Sequence, residues 1–256
     1  MKKILKITAM ITAATMVLAL TGCTGSSSSS SNGTKTVDYS TDGTVEDQFA
    51  LPQEGEEIAV FNVEGYGTFK ARLFPEVAPK AVENFTTLAK QGAYNGVPFH
   101  RIVEDFMIQT GDTTQNGGDG KSIFDGNFPV ELNKSVHHYT GALAMARTND
   151  LQNGQSTQFY VVSNDSVKSY TDSMWKQYET QTGKEYSDEV KAAYNEHGGA
   201  PSLDMQYTVF GQVFEGLDVV NQIAAVEVTE NEQTGEMSQP TTPVILTSVE
   251  IVPYHA

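Results

Sequence analysis

Two short apolar segments on either side of an acidic pair constrain this chain more than any other feature. Between Phe99 and Asp112, β-forming residues flank a polar break, and this pattern predicts two short strands joined by a turn. Arg101 and Gln109 are the polar exceptions within those strands. An arginine among apolar residues is costly unless it has a partner or a function. The side chains around Arg101 therefore define the first candidate site.

The N-terminal residues have the pattern of a bacterial export signal. Three lysines within the first six residues precede an apolar run at 7–20, which has the length of a signal-peptide core and is short for a membrane span. A Leu-Thr-Gly-Cys sequence then ends at Cys23 and looks like a lipobox, in which the cysteine receives lipid. We therefore expect a lipoprotein signal peptide at 1–22. An ordinary signal peptide with an incidental cysteine is the alternative.

Composition predicts a tether between this anchor and the folded domain. Residues 23–56 begin with Cys23 and a serine run and have almost no apolar periodicity, which is typical of a flexible linker. Cys23 is the only cysteine, so no internal disulfide can form. A lipid there would anchor the protein at the outer face of the bacterial cell membrane without spanning it. The formal charge of -16 argues against nucleic acid as a partner.

Residues 57–256 alternate short β-forming segments with helical patterns. Apolar residues on one face predict helices at 81–90 and 217–225. The segment 164–199 is charged and rich in tyrosine, and we expect it to be a helical insertion with helices at 169–181 and 187–197. Many short strands with two core helices indicate an antiparallel barrel or sandwich.

Several short motifs occur in a fixed order along this domain. They are Phe99-His100-Arg101, Phe106-Met107-x-Gln109-x-Gly111-Asp112, Gly120-Lys121-Ser122, Ala144-Met145-Ala146, Gln158-Phe159 and Val209-Phe210-Gly211. Taken together, they resemble the cyclophilin family of peptidyl-prolyl cis-trans isomerases. The resemblance covers about residues 58–252, apart from the insertion at 164–199.

The resemblance implies a mainly β fold, namely an eight-stranded antiparallel cyclophilin-like barrel capped by two α-helices. It also implies an enzyme that accelerates X-Pro bond rotation. Together with the export signal at 1–22, this predicts an isomerase that assists the folding of exported proteins. The expected partners are unfolded or extended protein segments that contain proline. We expect a monomer without a cofactor or a metal.

The resemblance also assigns roles to individual residues. Arg101 would be the catalytic residue, and Gln109 would orient it and contact the peptide. The remaining substrate-binding positions are Phe106, Met107, Tyr160, Leu203 and Tyr207 around the proline pocket, and Ala146, Arg147 and Gln158 along the peptide backbone. Three of these depart from common family residues: Tyr160 replaces Phe, Tyr207 replaces the His of animal members, and Arg147 replaces Asn.

Two simpler explanations of polar residues remain open at this stage. Arg101 could pair with a nearby carboxylate such as Glu104 or Asp105 instead of serving catalysis. The adjacent pair His137-His138 could suggest a metal site, but neighbouring strand residues point to opposite faces and no third ligand is in view.

Two other functions compete with the enzyme. One is a binding module that holds extended proline-containing segments, with catalysis incidental. The other is a solute-binding lipoprotein, which would share the anchor but should show α/β lobes, and no such alternation is present. The presence of Arg101 together with Gln109 favours the enzyme.

Overall fold

The computed structural model describes residues 39–115, 120–164 and 169–256. The predicted signal peptide, Cys23 and the first part of the predicted tether lie outside these residues. Within them, no helix combines the length and the apolar character that crossing a membrane would require.

Most elements of the described chain are short strands. The strands are β1 (Glu57–Val63), β2 (Gly67–Leu73), β3 (Val97–Pro98), β4 (Arg101–Val103), β5 (Met107–Thr110), β6 (Ala142–Arg147), β7 (Gln155–Val162), β8 (Val209–Glu215), β9 (Val228–Glu230), β10 (Met237–Pro240) and β11 (Ile245–Pro253). The helices are α1 (Pro79–Lys90), α2 (Asp172–Thr182), α3 (Asp188–His197), α4 (Leu217–Ala224) and a short 3-10 helix (Pro201–Leu203).

Nine strands form one antiparallel sheet that curls back on itself. Their order is β3-β11-β1-β2-β8-β6-β7-β5-β4, so β3 and β4 lie at opposite ends of the sheet. Only Phe99 and His100 separate these two strands in sequence. The Phe99 N–H donates to Val244 O beside β11, whereas the His100 N–H donates to Gln109 O in β5. The two edges of the sheet therefore meet at this dipeptide and the sheet forms a barrel.

The expected mainly β architecture with two packed helices is confirmed. Helix α1 lies against β7 and β11, and α4 lies against β2, β4 and β5. The described sheet has nine strands where the resemblance implied eight, because the two-residue strand β3 pairs with β11.

Helix α1 depends on a distant residue for its first turn. It begins at Pro79 and has no side-chain cap of its own. The carboxylate of Glu131 instead accepts hydrogen bonds from the N–H groups of Lys80 and Ala81, at 3.1 and 2.9 Å. A carboxylate at this end satisfies donors that the helix leaves open and also favours the helix dipole. The buried face of α1 then packs into the barrel, where the rings of Phe85 and Phe159 meet edge to face.

The two helices predicted within 164–199 are confirmed as α2 and α3. Thr171 and Ser187 cap the N-termini of α2 and α3 by accepting from backbone N–H groups three residues later. The two helices do not share the main core. They enclose a second cluster of buried aromatic residues, which consists of Tyr139, Tyr170, Trp175, Tyr186 and Tyr194.

Residues 39–56 pack on the domain, so the prediction of a flexible tether is wrong for this part. The buried side chain of Gln48 donates to His137 O at 2.8 Å and accepts from the His137 N–H at 2.8 Å. The ring of Phe49 lies 3.9 Å from the His197 ring and 5.1 Å from the Tyr139 ring, centroid to centroid. The polar composition was misleading because Gln48 uses its amide to satisfy buried backbone groups.

We expect Gln48→Ala to destabilise the domain, because it leaves the His137 N–H and carbonyl without their partner in a buried position. The expected loss in the free energy of unfolding is about 1–3 kcal/mol, measured by urea denaturation. Leu51→Ala is the matched control, since Leu51 is 63% exposed and its loss should cost less than about 0.5 kcal/mol. Equal unfolding midpoints for the two variants would contradict the packing of this segment.

Candidate active site

A pocket of about 300 Å³ opens on the barrel surface beside β4 and β5. Its lining consists of Arg101, Phe106, Met107, Gln109, Ala146, Arg147, Tyr160, Leu203 and Tyr207. All nine belong to the set of site residues that the sequence analysis proposed. The tenth, Gln158, lies just outside the lining and is connected to it through Gln109. The structure thus brings the proposed residues together, and their roles remain predictions.

The pairing of β4 with β5 places Arg101 and Gln109 side by side. The two residues are directly opposite in the antiparallel register, so their side chains share one face. Arg101 Nη1 donates to Gln109 Oε1 at 3.2 Å. Gln109 Nε2 in turn donates to Gln158 Oε1 at 2.9 Å. This chain of hydrogen bonds restrains the direction of the Arg101 side chain.

A carboxylate that the sequence analysis did not consider binds the other edge of the guanidinium. Arg101 Nε donates to Glu236 Oε2 at 2.6 Å, and Nη2 donates to Glu236 Oε1 at 2.8 Å. Such a bidentate pair is strong and directional. The suggested partners Glu104 and Asp105 are wrong, because the observed partner lies 135 positions away in the chain. Arg101 therefore has a carboxylate partner and also lines the pocket.

A β-hairpin carries Glu236 to this position. Strands β9 and β10 pair antiparallel, and β10 lies beside β4. In the connecting turn, Asn231 Oδ1 accepts from the N–H groups of Gln233 and Thr234, and Gly235 has a φ of +70°. Asn and Gly between β-forming residues are a known hairpin signal that could have identified this element. The charge pairing itself leaves no local signal in the sequence.

Apolar and aromatic side chains form the deep part of the pocket. Met107 and Tyr160 are buried, and the rings of Tyr160 and Tyr207 meet edge to face with centroids 5.9 Å apart. Burial raises the pKa of Tyr160 well above its usual value, so the phenol is neutral at physiological pH. A neutral aromatic wall of this kind suits a compact apolar ring.

Arg147 crosses the pocket rim and lies on Tyr207. Its Nε donates to Gln206 O at 2.7 Å, and its Nη1 donates to Thr148 O at 2.8 Å. Its guanidinium carbon lies 4.5 Å from the centroid of the Tyr207 ring. This contact is a cation–π interaction, and it joins two positions at which the chain departs from common family residues.

A buried carboxylate holds the segment that supplies Leu203 to the pocket. Asp204 is 1% exposed, and its two oxygens lie 2.9 Å from Nδ1 of His137 and of His138. It also accepts from the His138 N–H at 2.9 Å and from the Tyr194 hydroxyl at 3.0 Å. Burial alone would raise the pKa of Asp204, but the hydrogen bonds from the two histidines hold it well below its usual range.

The geometric argument about the two histidines is wrong. His137 and His138 lie outside any strand, so their side chains are not directed to opposite faces and instead meet the same carboxylate. Within residues 39–115, 120–164 and 169–256, no group of three His, Cys, Asp or Glu side chains is arranged to hold a metal ion.

Most of the described chain is similar to known proteins of one family. Residues 58–251 match the family model described as cyclophilin type peptidyl-prolyl cis-trans isomerase/CLD. A protein of Staphylococcus saprophyticus named "Putative peptidyl-prolyl cis-trans isomerase" is 39% identical over 198 residues, which cover 77% of this chain and 93% of that protein. A protein of the same name from Staphylococcus aureus is 38% identical over 205 residues, which cover 78% of this chain and 93% of that one.

A solved structure shows the same fold. It is a cyclophilin type peptidyl-prolyl cis-trans isomerase of Cryptosporidium parvum, determined in the presence of the dipeptide Ala-Pro. The two chains are 22% identical, with a TM-score of 0.56 over 78% of this chain and 99% of that one.

The ion pair between Arg101 and Glu236 predicts a lowered pKa of the Glu236 carboxyl, which can be measured. The hydrogen bonds from Arg101 lower the pKa of Glu236 below its ordinary value of 4.5. A lowered pKa means that the pair contributes stability above that ordinary value and loses it as the pH falls through the folded value. We expect Arg101→Ala to return the Glu236 pKa toward 4.5, measured by carbon NMR of the side-chain carboxyls.

Glu179 supplies the control for this titration. Its pKa is also lowered, in its case by a hydrogen bond from Lys191 in the insertion. Arg101→Ala should leave the titration of Glu179 unchanged. A Glu236 titration that is the same in the wild type and in Arg101→Ala would show that the ion pair does not form in solution.

Proposed function

The chain belongs to the family of cyclophilin-type peptidyl-prolyl cis-trans isomerases, and we propose that it accelerates X-Pro bond rotation in exported proteins with Arg101 as the catalytic residue. One observation carries the proposal. The Arg101 guanidinium lines an apolar pocket while Gln109 and Glu236 restrain it from two sides. Acceleration of this rotation would assist the folding of proteins outside the cytoplasm.

The reaction needs stabilisation of a twisted amide and no covalent chemistry. Rotation about a peptide bond must break amide resonance, which costs ~18–20 kcal/mol and makes uncatalysed X-Pro isomerisation slow. In the twisted state the lone pair of the proline nitrogen is localised and the nitrogen becomes a better hydrogen-bond acceptor. A donor aimed at that nitrogen therefore binds the transition state more tightly than the planar ground state. No nucleophile or cofactor is required, because no covalent bond is broken.

Arginine suits this task because its guanidinium stays charged and presents several N–H donors in a rigid plane. Glu236 occupies Nε and one N–H of Nη2, and Gln109 occupies one N–H of Nη1. Nη1 also donates to Met107 Sδ at 3.5 Å, so one N–H of Nη2 is left for a substrate. Because two residues fix the plane of the group, little reorganisation is needed at the moment of rotation.

The rest of the pocket would bind the substrate around the rotating bond. Met107, Tyr160 and their apolar neighbours would contact the pyrrolidine ring. Ala146 and Arg147 end strand β6 at the rim, where an extended peptide could lie alongside. Extended or unfolded segments that contain proline fit such an open rim better than compact folded surfaces do.

Export and anchoring rest on the N-terminal sequence. We propose that residues 1–22 direct secretion and that lipid on Cys23 holds the protein at the outer face of the cell membrane. The negatively charged domain gains nothing from an anionic membrane surface, so the lipid would provide the attachment.

Arg101→Ala should lower kcat/KM for cis-to-trans isomerisation of a short Ala-Pro peptide by about 10²–10³-fold, which is the usual cost of removing one transition-state donor. Arg101→Lys should recover only part of the rate, because lysine keeps the charge and loses the planar fork. Arg72→Ala is the control, since Arg72 pairs with Glu56 outside the pocket lining. No acceleration by the wild type, or an unchanged rate in Arg101→Ala, would contradict the proposal.

Cys23→Ala should abolish lipid attachment. In cells that express the full chain, a radiolabelled or clickable fatty acid should label the wild type, and the substitution should remove the label. The variant should also move from the membrane fraction to the soluble extracytoplasmic fraction. Labelling that persists in Cys23→Ala would show that the lipid is attached to another residue. A wild type without label would contradict lipid attachment altogether.

A further inference from the structure

The arginines of this chain are few and unevenly placed. The full sequence has only three, Arg72, Arg101 and Arg147, in a protein with 32 acidic residues against 16 lysines and arginines. Two of the three line the same pocket. A positive charge is thus concentrated at the proposed substrate site of an acidic protein.

The three arginines differ in how their charge is balanced. Arg72 Nε lies 2.9 Å from a carboxylate oxygen of Glu56, and Arg101 makes its bidentate pair with Glu236. Arg147 has no carboxylate within 4.0 Å among residues 39–115, 120–164 and 169–256. It is therefore the pocket cation whose charge no neighbouring acid of the described chain compensates.

Neutral groups hold Arg147 in place without cancelling its charge. Two backbone carbonyls, of Gln206 and Thr148, accept from Nε and Nη1, and the face of the Tyr207 ring lies against the guanidinium. Nη2 makes no hydrogen bond to any part of the chain that the structure describes. The group is thus fixed at the pocket rim with donors still free. A fixed guanidinium loses less entropy on binding an anion than a mobile one.

We propose that Arg147 is a specificity-determining residue that favours substrates with aspartate or glutamate next to the isomerising proline. This inference rests on the proposed function, since it assumes that peptides bind in the same pocket. A carboxylate on a residue flanking the proline would meet the free side of a planar donor, which is the geometry that carboxylates prefer.

The net charge of the whole protein predicts a preference for basic peptides, whereas Arg147 predicts a preference for acidic ones. An experiment can therefore distinguish the two explanations. An acidic domain attracts basic peptides and repels acidic ones at long range. That field is screened beyond about 8 Å at physiological ionic strength, whereas a direct contact is screened much less. Glu236 is the acid nearest to the catalytic group, and its charge is already paired with Arg101.

The experiment compares peptides that differ only at the residue before proline, namely Glu, Gln, Lys or Ala, at about 0.15 M salt. We expect the wild type to show a kcat/KM for Glu-Pro about three- to tenfold above that for Gln-Pro, with Lys-Pro lowest. A second set of peptides carries the same residues after the proline. It shows whether Arg147 contacts the residue before the proline or the residue after it. Binding of each peptide is measured in parallel by calorimetry.

Variants then assign the preference to one side chain. Arg147→Gln should bring the Glu-to-Gln ratio close to one, whatever its overall rate, and Arg147→Lys should keep part of the ratio. Arg72→Gln changes the net charge by the same amount outside the pocket and should leave the ratio as in the wild type. Thermal unfolding of each variant verifies that it is folded.

The outcomes separate this inference from the proposed function. If Ala-Pro and Gln-Pro are accelerated but Glu-Pro gains nothing on either side of the proline, the role of Arg147 is overturned and the isomerase stands. A preference for Lys, or a ratio that falls equally in Arg72→Gln, would assign specificity to the overall charge and overturn the proposal too. If no peptide is accelerated, the proposed function fails, and calorimetry still decides whether Arg147 selects acidic ligands.

Discussion

The buried carboxylate of Asp204 connects the segment before β6 with helix α3 and the segment that follows it. It receives the side chains of His137 and His138 from the end of the barrel and the hydroxyl of Tyr194 from the insertion. An isolated buried charge would be very costly, so the hydrogen bonds from these partners stabilise the carboxylate in its buried position. Because Leu203 precedes Asp204 directly, these contacts also position the segment that supplies Leu203 to the pocket.

Local sequence predicted several strands and helices for physical reasons, whereas the barrel and the proposed site residues followed from the family resemblance. Arg101 and Gln109 lie on either side of a short turn, so antiparallel pairing must bring them to the same face of the sheet. The apolar faces of α1 and α4 repeat with a helical period that reads directly from the residues. Interactions between residues close together in the chain leave patterns of this kind in the sequence. The pairing of Arg101 with Gln109 at the pocket is one of these interactions.

The partners that sequence reasoning missed share one property, which is that their contacts depend on the finished fold. Glu236 reaches Arg101 through a hairpin at the other end of the domain, and nothing local marks it among many acidic residues. Gln48 looked like part of a polar linker because hydrogen bonding to a buried backbone cannot be read from composition. The error about His137 and His138 arose from assigning a strand where the chain turns toward Asp204.

The meeting of the sheet edges at Phe99 and His100 has a consequence for pairing with other chains. A sheet with an open edge offers a row of unpaired N–H and C=O groups, to which an extended client could add itself as a further strand. In the nine-stranded sheet, the ends β3 and β4 are only two and three residues long and are joined to each other. The nine-stranded sheet therefore presents no long open edge to which another chain could pair. A substrate of the proposed isomerase would therefore bind through its proline at the pocket and not as an added strand.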